Sequence, residues 1–196
     1  MIGIIDYGAG NLQSVKNALQ AIKQPFRVIT NFAEFNSVDK IILPGVGAAA
    51  FAMQQLKKQN LITAIQKTKK PFLGICLGLQ LLAEFSEEGQ TACLGLIKGN
   101  IKRFSEDLKV PQIGWNKVKT INKTPLTDGL NPENYFYFVN SYYLEFSKQY
   151  AIATADYIET FTSILKYKNF YATQFHPERS GKIGLQLLSN FCNKCK

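Results

Sequence analysis

In the N-terminal half, short apolar runs alternate with stretches whose apolar positions recur every three or four residues. The run IGIIDYG ends in a polar turn, and NLQSVKNALQAI follows with Leu12, Val15, Leu19 and Ile22 spaced for one face of a helix. The pattern repeats. PFRVIT reads as a strand, KIILPGVG as a buried strand over 40–43 ending in a glycine loop, and FAMQQLKKQNLITAIQ as a helix in two pieces. KPFLGI then reads as a strand and LGLQLLAEF as a helix. Strands that are apolar on both faces need helices on both sides, which predicts a parallel sheet.

After about residue 96 the helical period disappears. LIKGNIKRF, NKVKTI, YFYFVNSYYLEF, YAIATADYI, FTSILKY and FYATQF are strand-like and joined by turns, until residues 180–193 return to a helix with Ser180 as its expected cap. The expected fold is therefore α/β. It is an open, mostly parallel twisted sheet flanked by helices, with an antiparallel extension in the C-terminal half, and residues 1–196 form one domain.

Ligands in open sheets of this kind bind beyond the carboxyl ends of the strands, which selects three loops. DYGAGNL lacks the third glycine of a dinucleotide fingerprint, because Gln13 stands there, and reads as a tight strand-to-helix turn. In LPGVGAAAF, the residues Pro44, Gly45, Val46 and Gly47 lie between a strand and a helix, where peptide N–H groups can face an oxyanion. In PFLGICLGLQLLAEF, Gly74-Ile75-Cys76-Leu77-Gly78 has the form of a nucleophile elbow, with sulfur as nucleophile and the Leu77 amide beside it. A helix beginning at Leu77 would favour the thiolate through its dipole. Free cysteine is more often a small buried hydrophobe, so the elbow needs a base to be convincing.

The chain has a single histidine, His176, in YATQFHPERSG. It follows a strand, and Pro177 biases it to extended geometry, so Glu178 lies on the same side and can orient the ring. Cys76, His176 and Glu178 then have the logic of a nucleophile, a base and its orienter.

Charge and cysteine usage narrow the alternatives. The net charge of +9 comes from scattered lysines with no run of five, and no nucleic-acid module is present, so no nucleic-acid partner is expected. No stretch of 18 apolar residues exists and no basic leader precedes the first apolar run, which places the protein in the cytoplasm, off the membrane. The four cysteines are expected as thiols. Cys192 and Cys195 have two-residue spacing but lack the further ligands of a zinc site, so no metal is expected, and Cys93 lacks an elbow. Two rivals remain: a cysteine hydrolase for other amides, and a catalytically silent binding module.

Taken together, GICLGLQ and FHPE resemble the class I, triad-type glutamine amidotransferases, which hydrolyse glutamine through a thioester and release ammonia. Within them, IDYGAGNLQSV, LPGVGA, PQIGWN and QFHPERSGKIG are similar to the glutaminase subunits of imidazole glycerol phosphate synthase, over Ile2 to near residue 190. The resemblance implies Cys76 as nucleophile, His176 as general base and acid, and Glu178 as orienter. It implies an oxyanion hole from Gly45, Val46, Gly47 and the Leu77 amide. Gly47, Gln80, Ser141 and Tyr142 would hold the amino-acid end of glutamine, and no cofactor is implied. Asn11, Trp115, Tyr137 and Arg179 match positions facing a HisF-type TIM-barrel partner, giving a heterodimer. Three positions depart from the family pattern: Asn140 where histidine is usual, AAAFAM after the glycine loop, and Arg179 where lysine is usual. Relatives also resemble partners in a side pathway making amidino sugars, so the synthase that receives the ammonia stays open.

Overall fold

The computed structural model describes residues 1–8 and 11–196. Its first elements are β1 (Ile2–Ile5), α1 (Leu12–Ala21), β2 (Phe26–Ile29), α2 (Phe32–Asn36), β3 (Lys40–Leu43), α3 (Ala49–Lys58), α4 (Ile62–Lys67), β4 (Phe72–Ile75) and α5 (Leu77–Gln80). Short strands β5 (Phe85–Ser86), β6 (Thr91–Ala92) and β7 (Asn100–Arg103) follow. The C-terminal half contains β8 (Gln112–Thr120), β9 (Glu133–Asn140), β10 (Tyr142–Leu144), β11 (Ala151–Tyr157), β12 (Glu159–Tyr167), β13 (Phe170–Thr173) and α6 (Gly181–Lys194).

The described residues form a nine-stranded sheet in the order β2-β1-β3-β4-β13-β12-β11-β8-β9. Pairings are parallel from β2 to β13 and antiparallel from there to β9, as the change of pattern after residue 96 predicts. Period-two alternation sends neighbouring residues of the central strands to opposite cores. Ile42, Leu73 and Ile75 pack with Val15 and Leu19 of α1 and Leu187, Leu188 and Phe191 of α6. Ile41, Leu43 and Phe72 pack with Ala52 and Leu56 of α3 and Ile65 of α4. The apolar runs are continuous because both faces are covered.

Several local expectations needed correction. The run 77–85 is helical only as far as Gln80, and the chain then enters β5. That strand belongs to a second sheet, ordered β10-β7-β5-β6, which the sequence pattern did not separate from the first. The aromatic run 135–146 is divided at Ser141 into β9 of the large sheet and β10 of the small one. Ser180 does precede α6, but its hydroxyl makes no helix cap; it donates to the His176 carbonyl at 2.6 Å and accepts from the Tyr137 amide at 3.0 Å.

Candidate active site

The strands β3, β4 and β13 are adjacent and parallel, and the three chemical loops leave their carboxyl ends. The glycine loop follows β3, Cys76 follows β4, and His176 lies three residues beyond the end of β13. His176 is a hundred residues from Cys76 in sequence, and the parallel order of the sheet brings the two together.

Cys76 has φ +52° and ψ −105°, an uncommon conformation for a residue with a side chain. It is held by its own amide, which donates to Thr173 O at 2.7 Å, and by its carbonyl, which accepts from the Leu79 amide at 2.9 Å. The turn is tight enough to require its glycines. A Cβ on Gly74 would lie 2.5 Å from Gly78 O, and one on Gly78 would lie 2.1 Å from Leu43 O. The elbow therefore packs directly on the neighbouring strand, and Cys76 ends 6 % exposed.

His176 Nδ1 and Glu178 Oε1 are 2.8 Å apart, with side chains only 4 % and 1 % exposed. Nδ1 is thereby committed to the carboxylate, and Nε2 is left for the Cys76 sulfur. Burial works against the charged ring, but the Cys76 sulfur, by charge and hydrogen bond, and the Glu178 carboxylate outweigh it and raise the His176 pKa to about 10. The backbone is also fixed: the His176 amide donates to Tyr137 O at 2.9 Å, which ties His176 to β9.

A pocket of about 240 Å³ opens beside the sulfur, lined by Val46, Gly47, Cys76, Leu77, Gln80, Glu88, Pro111, Val139, Asn140, Ser141 and Tyr142. This is below the roughly 300 Å³ at which drug-sized sites begin and suits a single small molecule. Val46, Gly47 and Leu77, expected at an oxyanion hole, all reach this wall. Gly45 instead packs beneath it, where a Cβ would meet Leu77 Cβ at 2.6 Å and the buried Tyr7 hydroxyl at 3.1 Å. Gln80, Ser141 and Tyr142 line the same pocket, and Gln80 Nε2 donates to Tyr142 O at 2.9 Å.

Two residues here escaped the sequence reading. Glu88 is the charged group among the described lining residues, and its carboxylate accepts from the Ala49 amide at 2.8 Å. It stands on a short turn outside any motif, so its place in the pocket is a product of the second sheet. Gln174 is fully buried, with Nε2 3.6 Å from Cys76 Sγ. Its signal was available, because in an extended chain it shares a side with His176.

The expected partner-facing residues also gather. Trp115 and Tyr137 are cross-strand partners on β8 and β9, with rings 6.2 Å apart, and the Arg179 guanidinium lies 5.0 Å over the Tyr137 ring. Trp115 is 57 % exposed, beside exposed Ile113 and Tyr135. Asn11 caps α1, accepting from the Ser14 amide at 3.3 Å, and α1 packs on the 177–179 turn that carries Arg179. Within the DYGAGN loop, Ala9 and Gly10 lie outside the described residues.

The remaining cysteines are packing groups. Burial pushes the Cys93, Cys192 and Cys195 thiols up to about 11, and all four cysteines are unpaired. No cluster of metal-ligating side chains occurs among the described residues, and no described helix is long and apolar enough to cross a membrane.

Comparison with known proteins agrees with this geometry. The family model of glutamine amidotransferase class-I matches residues 3–195. The imidazole glycerol phosphate synthase subunit HisH of Methanocaldococcus jannaschii is 45 % identical over 193 residues, covering 97 % of this chain and 98 % of the relative. The subunit of the same name from Haemophilus influenzae is 44 % identical over 194 residues, covering 98 % and 97 %. Among solved structures, a glutamine amidotransferase superposes with a TM-score of 0.76 at 16 % identity, covering 97 % of this chain and 96 % of that one. PurLQS from Thermotoga maritima gives 0.73 at 17 % identity, covering 100 % and 98 %; at such identities the likeness is one of fold. The elbow, the buried His–Glu pair and the full-length match lead to one conclusion: this chain belongs to the class I glutamine amidotransferase family.

Proposed function

We propose that the chain is the glutaminase subunit of an imidazole glycerol phosphate synthase of histidine biosynthesis. As a single cytoplasmic domain it hydrolyses glutamine and passes the ammonia to a HisF-type TIM-barrel cyclase subunit. The observation that carries the reading is the convergence of the glycine loop, Cys76 and His176 at three adjacent parallel strand ends.

The chemistry follows from the groups present. The Cys76 thiolate attacks the carboxamide carbon, and the negative oxygen that develops is met by main-chain amides of Val46, Gly47 and Leu77. His176, whose raised pKa of about 10 keeps it protonated at neutral pH, gives its proton to the departing nitrogen. The C–N bond breaks, ammonia leaves and a thioester remains. The now neutral ring takes a proton from water, whose oxygen attacks the thioester. The C–S bond then breaks, glutamate departs and the thiolate returns with its electron pair. Glu178 holds the ring tautomer through both halves. At the other end of the substrate, Glu88 meets the α-ammonium, while Gln80, Ser141 and Tyr142 fix the amino-acid group.

The exposed surface of Ile113, Trp115 and Tyr135, next to Tyr137 and Arg179, supports docking of the barrel at the active-site rim, and the net charge of +9 favours an acidic partner face. The test is glutamate release by the chain alone and with a HisF-type barrel carrying its phosphorylated ribonucleotide. Stimulation supports the pairing. Hydrolysis that depends on Cys76 but ignores the barrel would remove this partner and retain the glutaminase.

A further inference from the structure

His176 and Glu178 account for only part of what surrounds the nucleophile. Cys76 Sγ lies 3.7 Å from Val139 O, a contact in which a thiol can donate but a thiolate meets another acceptor. The ionised sulfur, which has the protonated His176 ring on one side, gains from any further donor. The expected source, the dipole of a helix over 77–85, is reduced to four residues, too few for an appreciable macrodipole.

Gln174 supplies a second donor. Its Nε2 is 3.6 Å from Sγ, and its Oε1 accepts from Gln80 Nε2 at 3.3 Å. The same Gln80 nitrogen donates to Tyr142 O at 2.9 Å. The last contact sets the polarity of the chain, because a main-chain carbonyl can only accept. Gln80 must turn its NH₂ group to Tyr142, since the flipped amide would oppose two oxygens. The second N–H of that group meets Gln174, which answers with its oxygen, and the Gln174 nitrogen is left facing the sulfur. Asn140 Nδ2 donates to the same Tyr142 carbonyl at 3.0 Å and fixes it further.

We propose that Gln174 is a further catalytic residue whose side-chain N–H, aimed by Gln80 and Tyr142, stabilises the Cys76 thiolate. It does so before attack on the carboxamide, and again when the thiolate is expelled from the thioester as water adds. The arrangement also ties the wall that holds the substrate to the nucleophile, since Gln80 is shared by both. The titratable groups acting on the sulfur are His176 beyond β13 and Tyr7 beyond β1, with Glu88 lining the same pocket. The proposal rests on Cys76 being the nucleophile.

The test is alkylation of Cys76 by iodoacetamide in the full-length chain, followed by peptide mapping so that the other thiols do not count. Gln174→Met keeps the side chain's length and removes the donor. At neutral pH its Cys76 should react about tenfold more slowly than in the unaltered chain, the loss expected for one hydrogen bond to a charged group, and the two rates should converge at high pH. Equal rates at neutral pH in a folded variant would overturn the proposal. Should the variant fail to fold, the unaltered chain carrying ¹⁵N-glutamine answers the question. The Gln174 side-chain amide resonance should move as Cys76 ionises and stay still in Cys76→Ala, and a resonance that never moves would overturn the proposal. A Cys76 no more reactive than Cys93 in the unaltered chain would overturn the nucleophile assignment itself, a result distinct from either.

Discussion

The main-chain amide of Cys76 donates to Thr173 O at 2.7 Å, so Cys76 is bonded to the strand whose continuation carries His176. The strained turn at Cys76 and the position of His176 are therefore set by one pair of neighbouring parallel strands. A movement of β13 relative to β4 would disturb both at once.

Cys76→Ala should remove glutamine-dependent synthesis by the complex, by more than about a thousandfold, while synthesis from added ammonium salt survives. Product formation with each nitrogen source checks this. Loss of both would mean that the substitution damages the complex and not one chemical step.

Glu178→Gln leaves the shape of the site but offers His176 a group that no longer fixes its tautomer or balances its charge. kcat for glutamine hydrolysis should fall by roughly 10²–10⁴ with little change in KM. Steady-state kinetics of the complex give both numbers.

The single histidine makes its titration easy to follow by NMR. His176 should titrate near pH 10 in the unaltered chain, and at clearly lower pH in Cys76→Ala, because the sulfur is the first of the influences that raise it. The sign for stability follows from a folded pKa above the ordinary 6.5. The contribution is complete below about pH 6.5 and fades as pH rises through about 10, so chemical denaturation at pH 7 and pH 10.5 should show the loss.

Gly78→Ala would place a methyl group 2.1 Å from Leu43 O, with backbone on both sides and no flexible side chain to yield. A loss of about 1–3 kcal/mol or more in unfolding free energy is expected, with reduced activity because the elbow itself must shift. Urea denaturation measures the first and glutaminase assay the second.

Trp115→Ala should weaken barrel binding by tenfold or more, since an exposed aromatic at an apolar rim is a typical interface anchor, and should leave unstimulated hydrolysis unchanged. Titration of the barrel against glutaminase stimulation checks both.

The local parts of the candidate site were legible in the sequence. The elbow glycines mark a close approach, and His176 and Glu178 meet through the two-residue period of an extended chain. The strand runs 40–43 and 72–75 are apolar on both faces and correspond to β3 and β4. What was not legible depends on contacts between distant segments. Residues 81–85, apolar except for Glu84, suit a helix, yet Phe85 and Ser86 pair with β7 and leave α5 short. The Ser180 hydroxyl suits a cap, but the buried carbonyl of His176 and amide of Tyr137 claim it. Glu88 reaches the pocket only because that second sheet forms. Gln174 was within reach of the rule that found Glu178, applied two residues backward instead of forward.

The most direct measurement is acid quenching of the complex while it turns over labelled glutamine, followed by peptide mapping. A labelled glutamyl group is expected as a thioester on the peptide containing Cys76, absent in Cys76→Ala. Label on another residue, or continued glutamate release by Cys76→Ala, would contradict that expectation.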